Sequence, residues 1–156
     1  DEFDAGLKIY PTYPDCFEQL GLAWYRLGNR ENAYKNYTEA LKYNPEKAVT
    51  YSNLGILYFE SGDYVKSLEL YLKATKLDPR YADGWFNLGS TYGMTGKFEL
   101  AIEAFQNCIK YDPENAKAHE FMGVTYQNMN LPEKAKPWFE KAKVLEANKK
   151  AKKNKQ

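Results

Sequence analysis

Gly21, Gly55, Gly89 and Gly123 stand 34 residues apart, and one interval held this often constrains the chain more than any single residue does. An apolar residue precedes each glycine (Leu20, Leu54, Leu88, Met122). An aromatic stands four residues before three of them (Phe17, Tyr51, Trp85) and three residues after all of them (Trp24, Tyr58, Tyr92, Tyr126). Self-similarity with a period of roughly 20–50 residues marks an array of supersecondary units, each unable to bury its apolar side alone. Such arrays act through extended surfaces, so the repeat gives no presumption of a catalytic pocket.

Within one period the apolar spacing is helical. Phe17, Leu20, Trp24 and Leu27 follow at three, four and three residues, the stripe of an amphipathic helix. Ala33, Tyr37 and Ala40 mark a second helix. Gly28-Asn29, Gly62-Asp63 and Gly96-Lys97 leave connections so short that the two helices must run antiparallel. Asn44-Pro45, Asp78-Pro79 and Asp112-Pro113 end each second helix, because the residue before proline is pushed out of the helical region. Glycine inside a helix costs about 1 kcal/mol relative to alanine, so its recurrence at one phase calls for close approach of the paired helix. The expectation is four helical hairpins in a row.

Carried through the period, the register adds Ala33, Ser67, Ala101 and Ala135, then Tyr37, Tyr71, Phe105 and Phe139. The small residues Ala40, Ala74, Cys108 and Ala142 follow, then Pro45, Pro79 and Pro113. This pattern resembles the tetratricopeptide repeat, W-x2-L-G-x2-Y…A-x3-F…P, in both length and order. His119, in place of the first aromatic, and Ala147, in place of proline, are departures in the last unit. The resemblance implies an all-α, right-handed solenoid with repeats at 14–47, 48–81, 82–115 and 116–147. Residues 1–13 fit the end of a preceding repeat, with Phe3, Gly6, Leu7 and Pro11 in phase with Tyr37, Ala40, Leu41 and Pro45. The chain therefore reads as part of a longer repeat protein. Without the proline at 147 the last helix should run on toward Lys149, into a lysine-rich end at 148–156.

The net charge is +1, and without the five tail lysines residues 1–147 carry −4, so neither part is a nucleic-acid footprint. The tail has no interleaved aromatic for base stacking and no apolar face for membrane insertion, so it reads as a solvated helix end. No apolar run is long enough to span a membrane. Cys16 and Cys108 lie more than two repeats apart, too far for a disulfide, and show no metal-binding spacing. His119 occupies an aromatic core phase, which makes it a packing residue. Glu31, Asp63 and Glu133 suit the starts of second helices. No nucleophile has a catalytic partner and no phosphate loop is present, so no enzyme, cofactor or metal is expected.

A binding surface remains. In tetratricopeptide proteins the first helices of successive hairpins line a concave groove, and that resemblance implies outward positions here. The first unit offers Glu18, Gln19, Leu22, Tyr25 and Arg26, and the second Ser52, Asn53, Ile56, Phe59 and Glu60. The third offers Phe86, Asn87, Ser90 and Met94, and the fourth Lys117, Glu120, Phe121, Val124, Gln127 and Asn128. Eight of these are apolar or aromatic, and an apolar band outside the core marks an interface. The competing reading packs Leu22, Ile56 and Val124 between adjacent first helices. The expected partner-binding set is Gln19, Leu22, Tyr25, Asn53, Ile56, Phe59, Phe86, Asn87, Met94, Phe121 and Val124. Chaperone-tail repeats carry a lysine three residues before the glycine. Here that phase holds Glu18, Ser52, Phe86 and Glu120, so a carboxylate clamp is not expected. Asn53 and Asn87 resemble the asparagine ladder that holds peptide backbones in some grooves of the family. The leading function is a protein-interaction scaffold that binds a peptide or partner helix in an apolar groove. The alternatives are an assembly module stacking on other repeats or subunits, and the docking arm of a larger enzyme.

Overall fold

The sequence pattern is realised helix by helix in the computed structural model, which describes residues 14–153. Eight α-helices lie among the described residues: α1 (Pro14–Arg26), α2 (Arg30–Tyr43), α3 (Ala48–Glu60), α4 (Tyr64–Leu77), α5 (Ala82–Met94), α6 (Phe98–Tyr111), α7 (Ala116–Asn128) and α8 (Pro132–Lys153). They pair as four hairpins, an all-α solenoid architecture. The expected half-repeat at 1–13 and residues 154–156 lie outside the described residues.

The turns show why these helices stop and restart. Gly28, Gly62 and Gly96 adopt φ of +80°, +81° and +73°, a left-handed conformation that closes the end of each first helix. Asn29 and Asp63 then cap the second helices, accepting from the backbone N–H of Asn32 at 3.0 Å and of Lys66 at 3.1 Å. In the fourth turn the left-handed residue is Asn130, at φ 58°. Asn44, Asp78 and Asp112 end α2, α4 and α6 before their prolines. Lacking that proline, α8 extends beyond Lys149 to Lys153.

The repeat glycines lie against an aromatic ring sixteen residues on. A Cβ on Gly21, Gly55, Gly89 or Gly123 would stand 2.6–2.7 Å from a ring carbon of Tyr37, Tyr71, Phe105 or Phe139 respectively. The ring on the second helix, more than the small residues beside it, sets how closely each pair approaches.

The chain divides into two compact units, Asp1–Pro79 and Arg80–Gln156. The core of the first is Ala33, Tyr37, Leu54 and Leu57, with Trp24, Tyr25, Leu41, Tyr58 and Leu70 packed against it. Glu18 is also buried here. Its Oε2 accepts from the Thr50 hydroxyl at 2.6 Å and lies 3.2 Å from Lys47 Nζ, which also bonds Asp15. The core of the second is Ala101, Phe105 and Met122, backed by Phe86, Tyr92, Ile102, Ile109, Tyr126 and Trp138. Buried His119 belongs to this packing: its ring lies 5.6 Å from that of Trp138 and its Nε2 is 3.2 Å from the Pro113 carbonyl oxygen.

Tyr34 and Leu41 in the first unit, and Ile102 and Ile109 in the second, turn the second helix toward the hairpin that follows. At the same two phases α8 carries Lys136 and Lys143, both exposed, with Lys136 paired to Glu133 at 2.8 Å.

Candidate functional site: an apolar notch repeated in each unit

In the first unit Leu22 and Tyr25 of α1 and Asn53 and Ile56 of α3 enclose a cavity of about 90 Å³ over the Tyr37 ring of α2. Two repeats further on, the same five positions are Ser90, Gly93, Phe105, Phe121 and Val124. All five line a second cavity of about 100 Å³, together with Met94, Thr125 and Asn128. The notch thus occurs once in each unit: two consecutive first helices form its walls and the ring on the intervening second helix its floor.

Tyr25 is fixed in place. Its hydroxyl donates to Glu60 Oε1 at 2.5 Å, and Arg30 Nε donates to Glu60 Oε2 at 2.7 Å. The Arg30 guanidinium also lies 4.6 Å from the Tyr25 ring centroid and donates to the Tyr25 carbonyl at 3.1 Å. The hydrogen bond to Glu60 holds the Tyr25 phenol above its usual pKa, with burial and the nearby negative charge adding to the shift.

The predicted partner-binding residues divide by unit and by packing. Leu22, Tyr25, Asn53 and Ile56 meet in the first notch, and Met94, Phe121 and Val124 in the second. Phe59 rests on Tyr64, with ring centroids 5.4 Å apart. Phe86 is half-buried, 5.9 Å from Phe105 and 5.3 Å from Phe121, so much of its ring is absorbed by the core. Asn87 is half-buried, its carbonyl accepting from the Thr91 hydroxyl at 2.8 Å, and Gln19 is exposed. Two residues expected to point outward do not: Ser52 is fully buried, and Glu18 turns inward to Thr50 and Lys47. The aromatic floors, Tyr37 and Phe105, escaped the sequence reading because it assigned them wholly to the core. Gly93 escaped it as well, although it breaks a phase that holds Tyr25 and Phe59.

Larger clefts lie elsewhere. One of about 480 Å³ is edged by Glu69, Lys73 and Lys76 on α4, and one of about 220 Å³ by Glu114, Lys149 and Lys152. Tyr51, Leu70 and Leu72 also line the first of these and Leu145 and Asn148 the second. Among the described residues no acidic, histidine or cysteine cluster is arranged to hold a metal, and no helix is long and apolar enough to cross a membrane. Cys108 is fully buried, which pushes its thiol pKa up to about 12, while Cys16 is half-buried.

Family models described as tetratricopeptide repeat match residues 14–47, 82–115 and 116–149, and one described as TPR repeat matches 57–96. A crystal structure of MamA is 27% identical, covers 96% of this chain and 87% of that one, and superposes with a TM-score of 0.84. A second MamA crystal structure, also 27% identical, covers 96% and 81% with a TM-score of 0.80. PilF of Pseudomonas aeruginosa is 28% identical, covers 86% of this chain and 62% of that chain, and has a TM-score of 0.81. Among curated proteins no sequence match is found.

Proposed function

We propose that this chain, which belongs to the tetratricopeptide repeat family and is thereby a protein-interaction scaffold, binds an extended peptide or partner helix along its first helices. The observation that carries this reading is the notch that recurs in both units, with Leu22 and Ile56 in the first and Phe121 and Val124 in the second. An apolar notch walled by two consecutive first helices suits a ligand that presents apolar side chains. Val124 is 38% exposed and Phe121, whose ring also packs on Phe86 and Phe105, is 39% exposed, so both present contact area at the notch. Asn53, half-buried in the first notch, offers an amide to a peptide backbone. Stacking on other repeats through α8 has less support, since Lys136 and Lys143 occupy the phases such a contact would bury.

The test is selection from a random peptide library displayed on phage, using the whole chain as target. Enriched peptides should lose affinity to Ile56→Ser or Val124→Ser while the helical signal is unchanged. Binding that survives both substitutions would place the partner surface elsewhere.

A further inference from the structure

On its outer side α4 departs from the other second helices. The position of Glu31, Glu99 and Glu133, acids in the first turns of α2, α6 and α8, holds Val65 in α4, and this valine is 80% exposed. The position of Thr38, Gln106 and Glu140 holds Leu72, 47% exposed. Both lie on the side of α4 away from its buried residues Ser67, Tyr71 and Ala74, about two helical turns apart. A valine in the first turn forgoes the favourable interaction of an acid with the helix dipole, and its branched side chain is a poorer helix former. Single exposed apolar residues are ordinary, whereas two on one stripe beside a cleft make a patch.

Leu72 also lines the cleft of about 480 Å³ on this helix, with Tyr51, Leu70, Glu69, Lys73 and Lys76. That volume admits an apolar side chain, and Tyr51, Leu70 and Leu72 offer it an apolar lining. The charged groups around it are two ammonium groups and one carboxylate. We infer that the outer face of α4 docks an acidic segment of a partner protein, with an apolar side chain in the cleft and carboxylates on Lys73 and Lys76. Charge complementarity selects this occupant: a basic segment would meet two like charges for one opposite, and an uncharged one would gain nothing from either lysine. A bilayer is too broad to enter the cleft, and an anionic one would be repelled by Glu69. The surface is separate from the groove, since the cleft shares no lining residue with the notch of the same unit.

The displayed peptide library, with the whole chain as target, supplies the test. Selected peptides should include a class with Asp or Glu beside Leu, Ile or Phe, whose affinity falls severalfold as salt is raised. Ile56→Ser and Val124→Ser should leave this class unaffected. Val65→Glu combined with Leu72→Gln gives α4 the residues that α6 carries at these positions, so the helical signal should be kept. That double variant should weaken the acidic class by about tenfold or more, and so should Lys73→Glu combined with Lys76→Glu. A library with no acidic class, or acidic binders indifferent to both double variants, overturns the proposal, while the groove reading is judged separately by Ile56→Ser and Val124→Ser. Two other results overturn it too. Self-association in sedimentation that Leu72→Gln abolishes would assign the face to a second copy. Flotation with phosphatidylglycerol–phosphatidylcholine vesicles that the first double variant abolishes would assign it to a membrane.

Discussion

A methyl group placed on Gly89 would lie 2.7 Å from Cε1 of Phe105, so α5 and α6 meet where only a hydrogen atom fits. Phe105 is fully buried and cannot swing aside, unlike the far end of a flexible side chain. Gly89→Ala, ordinarily favourable in a helix, should therefore destabilise by about 1–3 kcal/mol through overpacking. Gly93→Ala, four residues along the same helix with open space around it, should stabilise by about 0.5–1 kcal/mol. Urea unfolding of the two variants side by side is the check, and shifts of the same sign would contradict the packing argument. In a repeat protein the loss at Gly89 should stay near its own hairpin, seen as hydrogen exchange rising in α5 and α6 first.

The aromatic residues of the first helices should separate by mutation. Phe86→Ser removes a half-buried ring packed against Phe105 and Phe121, and should cost about 1–3 kcal/mol. Val124→Ser, at a more exposed position, should cost under about 1 kcal/mol yet weaken peptide capture. Thermal melts and a binding titration on both variants distinguish a core ring from a contact residue.

Glu18 should be sensitive to its partners. Thr50→Val deletes the hydroxyl that donates to its Oε2 at 2.6 Å, and Lys47→Met deletes the only nearby cation, at 3.2 Å among the described residues. Either change leaves a buried carboxylate short of a partner, at a cost of about 1–3 kcal/mol. Combining Lys47→Met with Glu18→Met should recover part of the loss, since an apolar pair needs no counter-charge. A double variant no more stable than Lys47→Met would show that the lysine acts through Asp15 alone.

Alkaline pH should unfold the chain through buried acids. Burial raises the Tyr37 phenol from its usual 10 to about 12 and the Cys108 thiol from 9 to about 12. Both groups bind protons more tightly folded than unfolded, so stability falls as pH rises. Their contribution is whole below about pH 9 and is lost on the way to about pH 12. Unfolding midpoints measured across that range should drop, and Tyr37→Phe with Cys108→Ala should flatten the slope. At pH 8 an alkylating reagent should label half-buried Cys16 first and Cys108 only on unfolding, followed by mass spectrometry.

Hairpin boundaries were legible in the sequence because neighbouring residues decide them. Gly28 at positive φ, Asn29 as a cap and Asn44 before Pro45 act within a few positions of where they stand. Glu18 was not legible: its phase also holds Ser52, Phe86 and Glu120, and Thr50, a repeat away, turns the carboxylate inward. Helical phase likewise places Phe86 off the core stripe, but Phe121, the next first helix's ring, closes over it. Phase gives the direction in which a side chain leaves its helix. The height of the neighbouring side chain, which decides whether a notch forms, has to come from the three-dimensional arrangement.

Lys136 and Lys143 on α8 carry a consequence for colloidal behaviour. Repeat hairpins share one shape, so any exposed second-helix surface is a template on which a copy of the molecule can continue the series, and unchecked continuation yields fibres. On α8 that continuation would strip water from two ammonium groups, one already committed to Glu133, with no acid supplied by the repeat pattern in return. Replacing both lysines with leucine restores the apolar phases of Tyr34 and Ile102 and of Leu41 and Ile109, and sedimentation should then show mass rising with concentration while the parent stays constant. Two cations on this face oppose such docking, whatever the net charge of the whole chain.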